Sequence, residues 1–144
     1  MVASHSGKCL ASRATRPAAG APVSQFRCKG LNTSRWTFDR DGASHRVRNT
    51  ATNLCLDARS DERRSGGAYL VVQRECGAAE TQLWRAVEIA PNGTGQVDVQ
   101  LVHRSTEQCL DINQMSALDG ALAIRWSCGT TPNQVFRVTT ASIR

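Results

Sequence analysis

The stretch Glu107-Gln108-Cys109-Leu110-Asp111, followed by Trp126-Ser127-Cys128 and then Asn133-Gln134-Val135-Phe136, decides how this chain is read. The same parts stand in the same order twice upstream. Asn53-Leu54-Cys55-Leu56-Asp57 is followed by Cys76 and Gln82-Leu83-Trp84, and Gly7-Lys8-Cys9-Leu10 by Cys28 and Ser34-Arg35-Trp36. Each copy has a Cys-Leu start, a polar turn-rich middle, a second cysteine and a short motif ending in an aromatic. Self-similarity of this kind sets the architecture, and it divides the 144 residues into three units of about 48. Three units are too few for a solenoid with capped ends, so a closed three-fold object is expected.

Local signals agree. Short strand patterns occupy 23–28, 36–39, 45–48, 69–74, 83–87, 97–102, 122–126 and 135–138. Turn chemistry separates them at Asp41-Gly42, Gly66-Gly67, Asn92-Gly93, Asp119-Gly120 and Pro132-Asn133. No segment holds a helical period over ten or more residues. Twelve strands in three four-stranded units make an all-β fold, a β-trefoil: a six-stranded barrel capped by three hairpins. One domain spans 1–144, with pseudo-symmetric repeats near 1–46, 47–99 and 100–144. The middle repeat is longest, through an extended turn around 90–96. The third repeat's closing strand is expected to return beside the first near Ile143-Arg144.

Six cysteines allow 15 pairings. The repeat favours Cys9–Cys28, Cys55–Cys76 and Cys109–Cys128, which close equivalent loops. Each would stabilise the fold by roughly 3 kcal/mol in the chain-entropy account. Zinc needs closely spaced cysteine pairs, and none is present, so no metal or other cofactor is expected. Disulfides imply an oxidising, secreted or extracellular setting. Met1 is followed at once by Val2-Ala3-Ser4-His5 and the first repeat, with no secretory leader, which reads as a domain cut from a longer precursor. No apolar run is long enough to span a membrane.

The net charge is +6, which raises the question of a polyanionic partner. The basic residues are scattered as single arginines, however, and the one dense stretch, Arg59 to Arg64, contains Asp61 and Glu62. A solvated surface is the better reading, and nucleic acid is not an expected partner.

Three motifs on the pattern Gln-x-Trp, with Ser34 for Gln in the first and Phe136 for Trp in the third, in register with three Cys-Leu pairs, resemble the ricin B-type lectin family, which includes β-trefoil carbohydrate-binding modules attached to secreted bacterial hydrolases. The resemblance covers the whole chain. It implies sugar binding by a monomeric module, with a catalytic domain in the same parent chain as a further possibility. The motif aromatics Trp36, Trp84 and Phe136 are expected to fill the shared core. The family's sugar contacts are an Asp after Cys-Leu, an aromatic two residues before the second cysteine, and an Asn before the Gln. Carboxylate and amide bond neighbouring ring hydroxyls, and the aromatic packs on the C–H face of the sugar.

The third repeat carries every part: Asp111, Trp126, Asn133 and Gln134, the last bracing Asp111 or its turn. Main-chain groups of 112–114 could add a contact. The second keeps Asp57 and Gln82 but has Arg74 at the aromatic position and Thr81 for Asn, so it is a weaker site, with Tyr69 a candidate stacking substitute. The first has Ala11 in place of Asp, Thr33 and Ser34 at the amide positions, and Phe26 as a relic. The expected ligand is a mono-, oligo- or polysaccharide of galactose type or a related xylan-like chain.

Catalysis finds no support. Asp57 and Asp111 fall in different repeats, and no nucleophile elbow, P-loop or His-Glu-x-x-His is present. His5 and His103 take near-equivalent places in the repeat, which suggests scaffold. Two other readings stay open: a protein-interaction or targeting trefoil that has lost sugar binding and uses Arg59, Arg63, Arg64 and Arg74, and an inhibitor of hydrolases.

Overall fold

A left-handed residue stands two places before each first cysteine: Gly7 (φ 68°), Asn53 (φ 62°) and Glu107 (φ 55°). Each donates its N–H to a carbonyl four residues back, on Ala3, Asn49 and His103 respectively, at 2.9 Å. The chain therefore reverses tightly, and Cys-Leu enters a strand antiparallel to the one just left. Glycine adopts this conformation freely, while Glu107 pays about 1–2 kcal/mol for it.

The structure is a computed structural model that describes residues 1–12, 19–58 and 67–144. Its strands are β1 (Val2–Ala3), β2 (Cys9–Ser12), β3 (Ala21–Phe26), β4 (Trp36–Asp41), β5 (Ser44–Asn49), β6 (Leu54–Asp57) and β7 (Tyr69–Leu70). They continue as β8 (Val72–Glu75), β9 (Trp84–Pro91), β10 (Gln96–His103), β11 (Cys109–Ile112), β12 (Ala123–Trp126) and β13 (Phe136–Thr139). The expected β-trefoil is present. The barrel comes from β4–β5, β9–β10 and β13–β1, and the caps from β2–β3, β6–β8 and β11–β12.

Strand 69–74 is broken at Val71, which explains the thirteenth element. The Val71 N–H donates to Ala123 O, and its carbonyl accepts from Val23 N–H. Val23, Val71 and Ala123 hold the same place in the three repeats and are all fully buried, so they tie the hairpins together at the pseudo-axis. The middle repeat is the longest because β9 and β10 run for eight residues each where β4 and β5 run for six.

Closure differs from the expectation in one place. The third repeat pairs with the first through β13 and β1, with Val2 opposite Arg137 and Ala3 opposite Phe136. The last residues form no strand. The 3-10 turn Thr140–Ile143 packs against β4 and buries Ile143.

Trp36, Trp84 and Phe136 fill the core, among Leu10, Leu56 and Leu110. A buried indole must satisfy its N–H. Trp36 Nε1 does so at Leu10 O (2.7 Å) and Trp84 Nε1 at Leu56 O (3.2 Å). Phe136 occupies the third equivalent place without a donor. The three expected disulfides are formed, with Cα–Cα distances of 5.0, 5.1 and 5.0 Å. The register also corrects the histidine equivalence. Phe136 faces Ala3, Trp36 faces Asn49 and Trp84 faces His103, so Ala3, not His5, matches His103.

Candidate functional site

Strand β11 delivers Asp111 and strand β12 delivers Trp126, because Cys109 and Trp126 face each other in register. The 3-10 turn Pro132–Gln134 adds Asn133 and Gln134. Pro132 fixes the start of that turn, and the two amides point back at the strand. Asn133 Nδ2 donates to Asp111 Oδ1 at 2.9 Å and to Ile112 O at 3.1 Å. Gln134 Nε2 donates to Asp111 Oδ2 at 2.8 Å and to Ser127 O at 2.9 Å, while its Oε1 accepts the Gly129 N–H at 2.8 Å. Each carboxylate oxygen thus takes one amide hydrogen and keeps lone pairs for another donor. The amides also fix the carboxylate's plane.

Asp111 is 4% exposed. Burial pushes its pKa above the ordinary carboxylate value. The bonds from Gln134 and Asn133 and the nearby His5 oppose the rise without cancelling it. Asn133 Oδ1 is buried with no protein partner, an acceptor that a ligand hydroxyl could satisfy.

Above this polar floor opens a cleft of about 610 Å³, lined by Asp111, Gln114, Met115, Trp126, Thr131 and Asn133 among others. Trp126 is 41% exposed. A large aromatic left half in water beside a fixed carboxylate offers a flat apolar face with polar groups at its edge. The far wall is formed by Asn113, Gln114 and Met115, at the start of the loop 113–120. Gln114 (φ 56°) and Met115 (φ 53°) are consecutive left-handed residues there, and Met115 is also exposed. Strain of this kind is stored where surrounding structure holds it. Met115 carries no motif that would mark it in the sequence.

The second repeat brings together fewer parts. Gln82 Nε2 donates to Asp57 Oδ2 at 3.1 Å and to Glu75 O at 2.8 Å, and its Oε1 accepts the Gly77 N–H at 3.0 Å. This is the third repeat's brace without its Asn: the carbonyl of Thr81 accepts the Ala58 N–H. Arg74 faces Cys55 where Trp126 faces Cys109. Tyr69, the candidate stacking substitute, lies on β7 against β12, with the Arg125 guanidinium 4.2 Å over its ring. Arg59, Arg63 and Arg64 lie outside the described residues.

In the first repeat Ala11 is fully buried, Thr33 Oγ1 turns to Ser12 O (2.7 Å) and Ser34 Oγ to Leu31 O (2.8 Å). The Thr33 hydroxyl ties the turn to β2, the Ser34 hydroxyl stays within the turn, and Ala11 offers no carboxylate at the site position. Phe26 remains half-buried.

Among the described residues no group of acidic, histidine or cysteine side chains could hold a metal ion, and no helix is long and apolar enough to cross a membrane.

Residues 1–136 match the family model of the ricin-type beta-trefoil lectin domain. No curated protein sequence matches the chain. Among solved structures, the designed three-fold symmetric protein ThreeFoil is 27% identical over 93% of this chain and 91% of its own, with a TM-score of 0.79. The C-half of the earthworm R-type lectin, solved in complex with GalNAc, is 18% identical over 96% and 95%, with a TM-score of 0.69. An exo-β-1,3-galactanase from Clostridium thermocellum is 23% identical over 93% of this chain, with a TM-score of 0.76. The matched region is 28% of the galactanase. At these last two identities the likeness is one of fold.

Proposed function

The chain belongs to the ricin-type β-trefoil lectin domain family, a family of carbohydrate-binding domains, and we propose from that premise that it binds galactose-type or related xylan-like sugars, chiefly through its third repeat. The observation that carries this reading is the buried Asp111 held by Asn133 and Gln134 beside the half-exposed Trp126. The sugar's apolar face stacks on Trp126. Two neighbouring hydroxyls donate to the free lone pairs of Asp111, and Asn133 Oδ1 accepts a third contact. Gln134 holds the carboxylate from behind. GalNAc in the earthworm lectin and the galactanase activity of the Clostridium protein make galactose-type ligands the first to test.

A single open site of this kind binds weakly, with Kd on the order of 0.1–1 mM, or roughly −4 to −5.5 kcal/mol. Avidity then comes from a polymeric ligand or sister domains. The module acts as a secreted monomer without catalysis of its own, delivering any attached enzyme to its polysaccharide. The test is a glycan array with the oxidised domain and Asp111→Ala as control. A galactoside or xylo-oligosaccharide signal that disappears in a folded variant supports the reading; binding that survives removes the third-repeat site. Silence from the folded parent chain would favour a protein-interaction trefoil, the reading suggested by the two depleted repeats.

A further inference from the structure

Gln25 belongs to the first repeat, where Ala11 stands in place of the site aspartate, and it is fully buried. Every polar group it carries is engaged, and three of the four hold residues 116–121, the stretch that follows the cleft-lining Asn113, Gln114 and Met115. Its Nε2 donates to Ser116 O at 2.7 Å and to Leu118 O at 3.0 Å. Its backbone N–H donates to Ala121 O at 3.0 Å, and its carbonyl accepts the Gly120 N–H at 2.8 Å. Its Oε1 accepts from Ser6 Oγ at 2.8 Å, which fixes the amide's orientation. His5 Nε2 adds a second donor to Ser116 O at 2.8 Å, and Lys8 Nζ pairs with Asp119 at 2.7 Å.

The same device recurs around the pseudo-axis. Gln73, one repeat later, accepts from Thr52 Oγ1 at 3.0 Å, donates to Ser12 Oγ, and its carbonyl accepts the Gly20 N–H at 2.7 Å. Arg125, in the third repeat, donates Nε to Ala58 O at 3.3 Å. Each repeat therefore grips a loop of another from the residue beside its own stacking position.

We infer that Gln25 is a positioning residue for the third-repeat cleft, setting which sugars it accepts by holding the loop 113–120, and with it Met115, opposite the Asp111 floor. The proposal rests on the reading of that cleft as the sugar site. The loop's two left-handed residues, Gln114 and Met115, have no glycine to relax into, so their conformation depends on anchors at both ends. One end is Asn113, whose N–H bonds Leu122 O at 2.9 Å. The other is the carbonyl pair that Gln25 holds. Losing the donors frees the wall to move while Asp111, Asn133, Gln134 and Trp126, borne on β11, β12 and their own turn, stay in place. Selectivity between ligands that reach Met115 and ligands that do not should then change, separately from the common affinity set at Asp111.

The experiment titrates the oxidised chain with methyl β-galactoside and with xylobiose, for the parent, Asp111→Ala, Gln25→Met and Gln25→Arg, with thermal melting of each. Gln25→Met keeps length without donors and should change the ratio of the two affinities by about tenfold. Gln25→Arg restores donors, as Arg125 does at the matching place, and should return the ratio toward the parent's. If Gln25→Met does not fold, His5→Phe removes the other donor on Ser116 O from a half-buried position. An electrostatic effect of His5 on Asp111 would be common to both ligands and would leave the ratio alone. An unchanged ratio in the folded variants overturns the inference while leaving the sugar site standing. Absence of binding that depends on Asp111 in the parent overturns the sugar reading and the inference with it.

Discussion

Gln134 holds Asp111 by a 2.8 Å bond from Nε2 to Oδ2, and the same glutamine spans the strand end by accepting the Gly129 N–H. Gln82 repeats both contacts on Asp57 and Gly77. The glutamine of the motif is therefore a brace whose loss is felt in the fold and in the site together. Gln134→Ala leaves a buried carboxylate oxygen, the Ser127 carbonyl and the Gly129 N–H short of partners. It should destabilise the chain by about 1–3 kcal/mol in urea unfolding and weaken sugar binding. Unchanged stability would show that water replaces the amide without cost.

The raised pKa of Asp111 gives acid dependence two opposite signs. Burial raises it, and the bonds from Gln134 and Asn133 and the charge of His5 only partly oppose the rise. The folded state therefore holds this proton more tightly than the unfolded state. Its contribution to stability is full below the unfolded pKa and is lost as pH rises through the folded pKa. Ligand affinity runs the other way, because the protonated carboxyl has fewer acceptor sites. Affinity should fall on acidification with a midpoint above the ordinary aspartate value of about 3.9. A titration that stays flat down to that value would contradict the assignment.

Trp84→Phe places in the second repeat the aromatic that the third already uses. The ring fits, but Leu56 O loses the indole donor at 3.2 Å. The expected cost is about 1–3 kcal/mol for an acceptor left dry, against about 3–5 kcal/mol for Trp84→Ala, which leaves a cavity. A Trp84→Phe variant as stable as the parent would mean that the bond contributes nothing.

The second repeat tests sufficiency. Arg74→Trp with Thr81→Asn would supply the stacking face and the amide beside an Asp57 that Gln82 already braces. Calorimetry should show the stoichiometry rising from one site toward two. A stoichiometry that stays at one would assign the deficit to the loop geometry instead of these two side chains.

Removing the Cys55–Cys76 disulfide as a double alanine variant should lower stability by roughly 3 kcal/mol, as expected for a loop of this size. The third-repeat site, in another unit, should keep its affinity at temperatures where the variant is folded. A loss of affinity there would show that the repeats do not act independently.

The sequence by itself determined whatever lies within one repeat. The Cys-Leu starts, the paired cysteines and the three core aromatics follow from the spacing of the repeat, where strand register leaves little choice; Asp111, Trp126, Asn133 and Gln134 were legible as a set through the resemblance to the lectin family. Tertiary structure decided what passes between repeats. The break at Val71 exists because its N–H and carbonyl serve Ala123 and Val23 at the axis. Thr140–Ile143 turns away from strand geometry because it packs on β4, and His103 matches Ala3 only once β1 is paired with β13. The grip of Gln25 on Ser116 and Leu118 links residues more than 90 positions apart. Gln25, Gln73 and Arg125 stand visibly in register beside their stacking positions, yet a buried amide declares its partner only when another repeat's loop is folded against it. A repeat pattern encodes each unit's own contacts; closure around the axis selects the contacts between units.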